Sequence, residues 1–224
     1  MTDTREAGKR DAALEAVARL RPGLVVGLGT GSTAVHAIEE IGRRLARGEL
    51  RDIVGIPTSE ISRHLALEQG IPVGTLDAHP VVDITIDGAD EIDPEQRVLK
   101  GRGGALLREK IVASRSRRWV LIVDRTKLTP RLGSRHPLPV EVVRFGWRGH
   151  LDALRELGAQ PALRLREDGS PFVSDEGHYI IDARFPDGIH HPASVADALR
   201  HRPGVVETGL FLGFAPEVIV GGLD

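Results

Sequence analysis

The chain has 224 residues, 41% hydrophobic and 28% charged, with 30 basic and 32 acidic side chains for a formal charge of -2. That size and composition suit one large or two modest folded domains and exclude a disordered or collagen-like chain, while the near-neutral charge and 4% aromatic content exclude a nucleic acid binder. No run reaches the roughly 18 apolar residues of a membrane span, the start MTDTREAGKRD has no apolar leader, and Cys is absent, so the expectation is a cytoplasmic protein without disulfides, thiolate metal sites or a cysteine nucleophile.

Leu14, Val17 and Leu20 recur at helical spacing before Pro22-Gly23, and Leu24 to Leu28 reads as a short buried strand. A polar turn, Gly29 to Ser32, leads into a helix whose apolar face is Val35, Ile38, Ile41 and Leu45. Ile53 to Ile56 reads as the second strand. Pro57-Thr58-Ser59 then turns into a helix with Ile61 and Leu65 on its buried side. Val81 to Ile86 is a β-branched strand ending at Asp87, Gly88 to Pro94 a polar loop, and Arg97 to Leu99 an extended piece before a turn at glycines 101, 103 and 104. Ala105 to Ser114 follows as a helix with Leu106, Leu107 and Ile111 apolar, and Trp119 to Val123 is the next buried strand. This alternation predicts an α/β fold with a doubly wound, mostly parallel sheet.

Thr129 to Pro139 lacks periodicity and carries prolines at 137 and 139, so it reads as a boundary. Beyond it come a strand at Val140 to Val143, a helix at His150 to Leu157 and a strand at Ala162 to Arg166. Further strand around Phe172 and His178 to Phe185, a helix around Ser194 to Leu199 and a strand at Val205 to Phe211 complete a β-α-β-β-α-β pattern, the ferredoxin-like motif. Glu217 to Val220 is placed back in the first sheet. The expected domains are thus 1–130 with 207–224, and 131–206.

Four segments carry candidate chemistry. Gly27 to Thr33 (GLGTGST) lies between strand and helix, where free amides and hydroxyls hold a phosphate or simply cap a turn. It departs from a dinucleotide fingerprint, with Ser at 32 and no acidic residue closing the second strand, and it lacks the lysine of a P-loop. Asp87 to Asp93 (DGADEID) puts four carboxylates in seven positions, compatible with a hard-cation site, a solvated loop or proton transfer. Lys100 to Lys110 (KGRGGALLREK) is a glycine turn entering a helix, whose amides suit an anion, with Lys100 at its mouth as a cation and Glu109 inside the helix, where an i,i+4 or surface ion pair is the plainer reading. Lys127 follows a strand. Only four of the 30 basic residues are Lys, at positions 9, 100, 110 and 127, so the ammonium groups stand out in an Arg-rich chain. Three segments follow strands that read as parallel, and open α/β sheets bind ligands outside their carboxyl ends, so these segments are expected to share one crevice. The nine His include His190 and His191 but no HExxH or i,i+4 pair, and read as scattered surface residues.

In order along the chain, GLGTGST (27–33), GIPTS (55–59), DGADEID (87–93), LKGRGGALLREKIVA (99–113), VDRTK (123–127) and PLPVEVV (137–143) resemble the motif series of ribose-5-phosphate isomerase A. The resemblance spans most of the chain. It implies a Rossmann-like main domain, a small lid-like domain, no metal or organic cofactor, and a homo-oligomer, usually a dimer or tetramer. The implied reaction is the aldose–ketose interconversion of D-ribose 5-phosphate and D-ribulose 5-phosphate in the non-oxidative pentose phosphate pathway. The family's substrate-binding positions fall on Thr30, Gly31, Ser32 and Thr33; on Asp87, Gly88, Ala89 and Asp90; on Lys100, Gly101, Arg102 and Gly103; and on Lys127. Its proton acceptor falls on Glu109. Arg102 and Thr126 depart from the Gly and Ser common in relatives. On this reading Glu109 moves the proton between C2 and C1, Lys100 stabilises the enediolate, and Asp87 and Asp90 assist ring opening. The rivals are a sugar-phosphate deaminase, a CoA-transferase-like enzyme and a non-catalytic sugar-phosphate sensor.

Overall fold

The computed structural model describes residues 2–222. In chain order its elements are α1 (Thr2–Ala18), β1 (Val25–Leu28), α2 (Ser32–Ala46), β2 (Val54–Pro57), α3 (Glu60–Glu68), β3 (Ile84–Asp87), β4 (Glu91–Ile92), β5 (Val98–Leu99), α4 (Leu106–Ser114) and β6 (Trp119–Asp124). A 3-10 turn at Arg125–Lys127 precedes β7 (Leu138–Val142), α5 (Gly149–Glu156), β8 (Gln160–Leu163), β9 (Tyr179–Arg184), α6 (Pro192–Arg200), β10 (Val205–Thr208), β11 (Leu210–Phe211) and β12 (Glu217–Gly221). Two compact units result. The first takes the chain up to Ala89, Arg108–Lys127 and the stretch from Phe214, and the second takes Asp90–Leu107 and Leu128–Gly213.

The first unit is built on a sheet of order β12-β6-β3-β1-β2 in which every pair is parallel. Its strands are rich in Val and Ile, and their alternate side chains face opposite ways. Val26, Leu28, Ile84, Ile86, Val120 and Ile122 pack with Ala12, Ala16 and Val17 of α1 and with Ala37, Ile38 and Ile41 of α2. On the other face Ile56 and Val82 pack with Val112 of α4, so the sheet is covered on both sides. At Gly27 an added Cβ would lie 2.8 Å from Thr85 Cβ and 2.9 Å from Val112 Cγ1, which sets how closely α4 approaches the strands. β1 has β2 on one side and β3 on the other. The connection reverses direction there, and the carboxyl ends at this switch point are Leu28 and Asp87.

The second unit contains a sheet of order β10-β7-β9-β8, antiparallel throughout, with α5 after β7 and α6 after β9. This is the expected ferredoxin-like arrangement, with Val140, Val142, Leu154, Ile181, Ala183 and Leu199 in its core. A small antiparallel sheet, β11-β5-β4, belongs to the same unit.

Several local expectations are corrected. Val205 to Phe211 is two strands divided at Gly209, because β10 pairs with β7 while β11 pairs with β5. The 88–94 loop contains β4. Packing groups residues 90–107 with the second unit, whereas the sequence division counts them with 1–130; β4 and β5 bond to β11 and not to the parallel sheet. The last two positions of the expected 207–224 stretch lie outside the described residues. Around Phe172 the chain pairs only through single bridges, Leu165 to Pro171 and Val173 to Tyr179. Ile61 is 69% exposed, since α3 turns Ser62 and Ala66 inward instead. Ile111 is likewise exposed, its inward place being taken by Glu109 and Val112. His150 is buried and not a surface histidine. Among the described residues no helix is long and apolar enough to cross a membrane.

Candidate active site

At the switch point the turn after β1 is fitted against the end of β3. An added Cβ at Gly29 would lie 2.5 Å from Asp87 Cα and closer still to Asp87 Oδ1, so only glycine allows this approach. Asp87 is fully buried, and its Oδ1 accepts from the Thr30 amide at 3.1 Å and the Gly88 amide at 2.7 Å. The Thr30 hydroxyl donates to Ser59 Oγ at 2.8 Å and lies 2.7 Å from Thr58 Oγ1. Ser59 in turn caps α3 through a reciprocal box with Ser62. The loops after β1, β2 and β3 are thereby tied into one polar cluster at the carboxyl edge of the sheet.

α2 starts from Gly31, at φ +109°, with no side chain capping it. The hydroxyl-capped turn weighed in the sequence is therefore not what forms; Thr30 bonds elsewhere. Lys9 of α1 reaches this end, its Nζ donating to Ser32 Oγ at 3.0 Å and to Glu6 Oε2 at 3.1 Å. Sequence reasoning passed over Lys9 as a site residue. Its signal was its rarity, as one of four lysines, but 23 residues separate it from Ser32.

The other predicted residues of the first unit take up the same edge. α4 runs back from the carboxyl ends of the strands to the start of β6, which puts its first turn at that edge. Glu109 precedes Val112 by three residues, shares its sheet-facing side and is 4% exposed, so it is not a surface ion pair. Its neighbour Arg108 donates to Glu60 Oε1 at 2.9 Å, binding the first turns of α4 and α3 together. Arg108 and then Arg63 hold the Glu60 carboxyl below the usual carboxylate range. Lys127 closes the 3-10 turn after β6, a turn fixed by Asp124, whose Oδ1 accepts from the Thr126 amide at 2.8 Å and from the Thr126 hydroxyl. Ala89 is buried.

Asp90, Lys100, Gly101, Arg102 and Gly103 belong to the second unit. The Asp90 amide donates to Leu99 O and Asp90 Oδ2 accepts from the Arg102 amide, both at 2.9 Å. Lys100 is 2% exposed; its amide donates to Gly209 O at 2.9 Å, and its ammonium stands 6.0 Å from the centre of the Phe211 ring. Gly101 at φ +107° turns the chain, and the Gly104 amide closes onto Gly101 O at 3.0 Å. The acidic run is not a solvated loop. Glu91 is buried and accepts from the Arg135 and His136 amides, while buried Asp93 accepts from the Glu95 and Arg97 amides and from Arg97 Nε. Glu91 and Asp93 thus do structural work. Among the described residues no three or more His, Asp or Glu side chains gather as a metal would require.

Residues 54–224 match the family model described as ribose 5-phosphate isomerase A (phosphoriboisomerase A). The ribose-5-phosphate isomerase A of Chloroflexus aurantiacus is 51% identical over 223 residues, covering 100% of this chain and 93% of that one. That of Deinococcus radiodurans is 50% identical, covering 98% and 96%. Among solved structures, a D-ribose-5-phosphate isomerase in complex with phospho-erythronic acid superposes with a TM-score of 0.93 at 41% identity, over 97% of this chain and 95% of that one. The ribose 5-phosphate isomerase A of Methanocaldococcus jannaschii gives 0.89 at 40% identity, over 95% and 93%.

Proposed function

The chain belongs to the ribose-5-phosphate isomerase A family and is an aldose–ketose isomerase, and we propose that it interconverts its pentose phosphates through a cis-enediolate with Glu109 as the base. The observation that carries this reading is a carboxylate buried to 4% exposure on the sheet-facing side of α4, at the carboxyl edge beside the switch point. A base held there reaches C2 and C1 of a planar enediolate from one face, taking the proton from one carbon and returning it to the other.

The substrate phosphate is held by the α2 amides of Ser32 and Thr33, their hydroxyls and the Lys9 ammonium, with Lys127 as a further cation. Anchoring that end positions the reacting carbons. Lys100 stabilises negative charge as it develops on the enediolate oxygen, a task metals perform in other sugar isomerases. The two aspartates divide their work. Asp87 is the latch that shapes the Thr30 and Gly88 backbone, with Oδ1 already accepting two amides. Asp90 accepts one amide through Oδ2, and Oδ1 is the oxygen that takes the C1 hydroxyl proton as the bond from C1 to the ring oxygen breaks and hands it to that oxygen, which becomes the C4 hydroxyl. Gly31, Ala89, Gly101, Arg102 and Gly103 contribute backbone that follows the sugar closely. The reading includes a cytoplasmic homodimer or homotetramer, supported for the compartment by the absence of Cys; sedimentation of the purified protein checks the subunit number.

Turnover of ribose 5-phosphate in deuterated buffer with excess EDTA tests the reaction. An undiminished rate with deuterium entering C1 of ribulose 5-phosphate is expected. A rate abolished by EDTA and restored by a divalent ion would contradict the role given to Lys100.

A further inference from the structure

We infer that Arg164 is a positioning residue of the isomerase, a clamp that fixes the peptide orientations of the Lys100–Gly103 loop; the inference rests on the functional reading above. Arg164 follows β8 in the second unit, some sixty residues beyond the loop in sequence, and its side chain is 13% exposed. Each nitrogen of its guanidinium donates a hydrogen bond. Nε donates to Asp182 Oδ2 at 2.9 Å and Nη2 to Asp182 Oδ1 at 2.5 Å, a bidentate pair with β9. Nη1 donates to Gly101 O at 2.9 Å and to Arg102 O at 3.1 Å. The guanidinium centre lies 5.7 Å from the Phe172 ring centre. The same ring occupies the space beside Gly104, where an added Cβ would come within 2.5 Å of Phe172 Cε1.

Holding two successive carbonyls fixes two amides, because the C=O and N–H of a trans peptide point in opposite directions. With Gly101 O turned to Arg164, the Arg102 N–H points the other way, and it does so onto Asp90 Oδ2 at 2.9 Å. With Arg102 O turned to Arg164, the Gly103 N–H points to that same side, and among the described residues it meets no acceptor. Two donors are thereby directed to the side of Asp90, one steadying that carboxylate and the other open to a substrate oxygen. Local preference does not select this arrangement, since glycines at 101, 103 and 104 allow each peptide to rotate. The selection comes from Arg164, itself held rigid by Asp182 and Phe172. Lysine cannot substitute: an ammonium lacks the planar fork that serves a carboxylate and two carbonyls at once.

Steady-state kinetics of R164A and R164K on ribose 5-phosphate, with thermal unfolding of each and addition of ethylguanidinium to R164A, test the clamp. Both variants are expected to lose about 10- to 100-fold in kcat, since misplacing reacting groups by about 1 Å costs that much. KM is expected to stay within about threefold, the loss lying in the transition state. Ethylguanidinium is expected to restore part of the R164A rate. If R164A does not fold, the kcat of R164K decides. A folded variant with unchanged kcat, or a Lys variant with full activity, overturns the proposal while leaving the isomerase reading intact. A folded wild type without turnover overturns that reading and the clamp with it.

Discussion

Gly29→Ala adds one methyl group at the tightest point of the switch. The new Cβ falls 2.5 Å from Asp87 Cα, about 1 Å or more inside the roughly 3.5–4.0 Å at which carbon atoms rest in contact. Asp87 Cα is backbone in a four-residue strand with neighbours on both sides, so the burden falls on the turn. Moving Gly29 to Thr30 by that distance breaks the Thr30 amide bond to Asp87 Oδ1 and disturbs the Gly88 bond to the same oxygen. Each hydrogen bond to a charged group is worth about 1.5–3 kcal/mol, so stability is expected to fall by about 2–4 kcal/mol, read by denaturant unfolding. A 1 Å displacement of the phosphate turn also predicts a loss of about 100-fold in kcat/KM. Gly23→Ala is the control, with a positive φ of 81°, no atom within 4 Å of the added Cβ, and a position before β1, at the opposite end of that strand from Gly29. It is expected to cost about 1 kcal/mol of strain and no activity. Wild-type kcat/KM in Gly29→Ala would refute the placement of this turn.

Lys9→Met removes the charge-assisted contact proposed to the substrate phosphate, one that ground and transition states would share, so KM is expected to rise about 10- to 100-fold with kcat little changed, checked by initial rates. Arg108→Met frees the first turn of α4 from Glu60; because the pair is partly exposed, stability is expected to change by under about 1 kcal/mol, while kcat drops about tenfold as Glu109 loses its bearing. The third expectation concerns pH. Burial, and then the charge of Arg202, push the His150 imidazole below its usual range. The unfolded chain therefore binds that proton more readily, and stability should fall as pH drops from about 6.5 toward the folded pKa. Thermal scans between about pH 7.5 and 5 should show a smaller decline for His150→Gln, and equal slopes would contradict the assignment.

The parallel sheet was legible because its strands are short segments rich in Val and Ile separated by helices of clear period. The ferredoxin-like unit was legible for the same reason. What escaped the reading depended on partners distant in sequence. The stretch from Val205 to Phe211 reads as one strand, and nothing local in it shows that its two halves bond to β7 and β5. Ile61 and Ile111 fit a buried face by spacing alone, but Ser62 and Glu109 take the inward places through a capping box and a buried carboxylate. The glycine turns and the DGADE run marked the candidate site, yet which amides each carboxylate of that run accepts depends on tertiary structure. Lys9 and Arg164 lay outside every motif. Both reach their targets through tertiary packing, which local sequence does not encode.

The central claim is that one buried carboxylate performs the proton transfer. Isomerisation of ribose 5-phosphate by the wild type and by Glu109→Gln, with substrate affinity measured on both by calorimetry, tests it directly. Turnover should fall by about 10²–10⁴-fold in the variant, while affinity stays within about threefold because the amide keeps the shape of the side chain. A folded Glu109→Gln protein that isomerises at the wild-type rate would contradict the account.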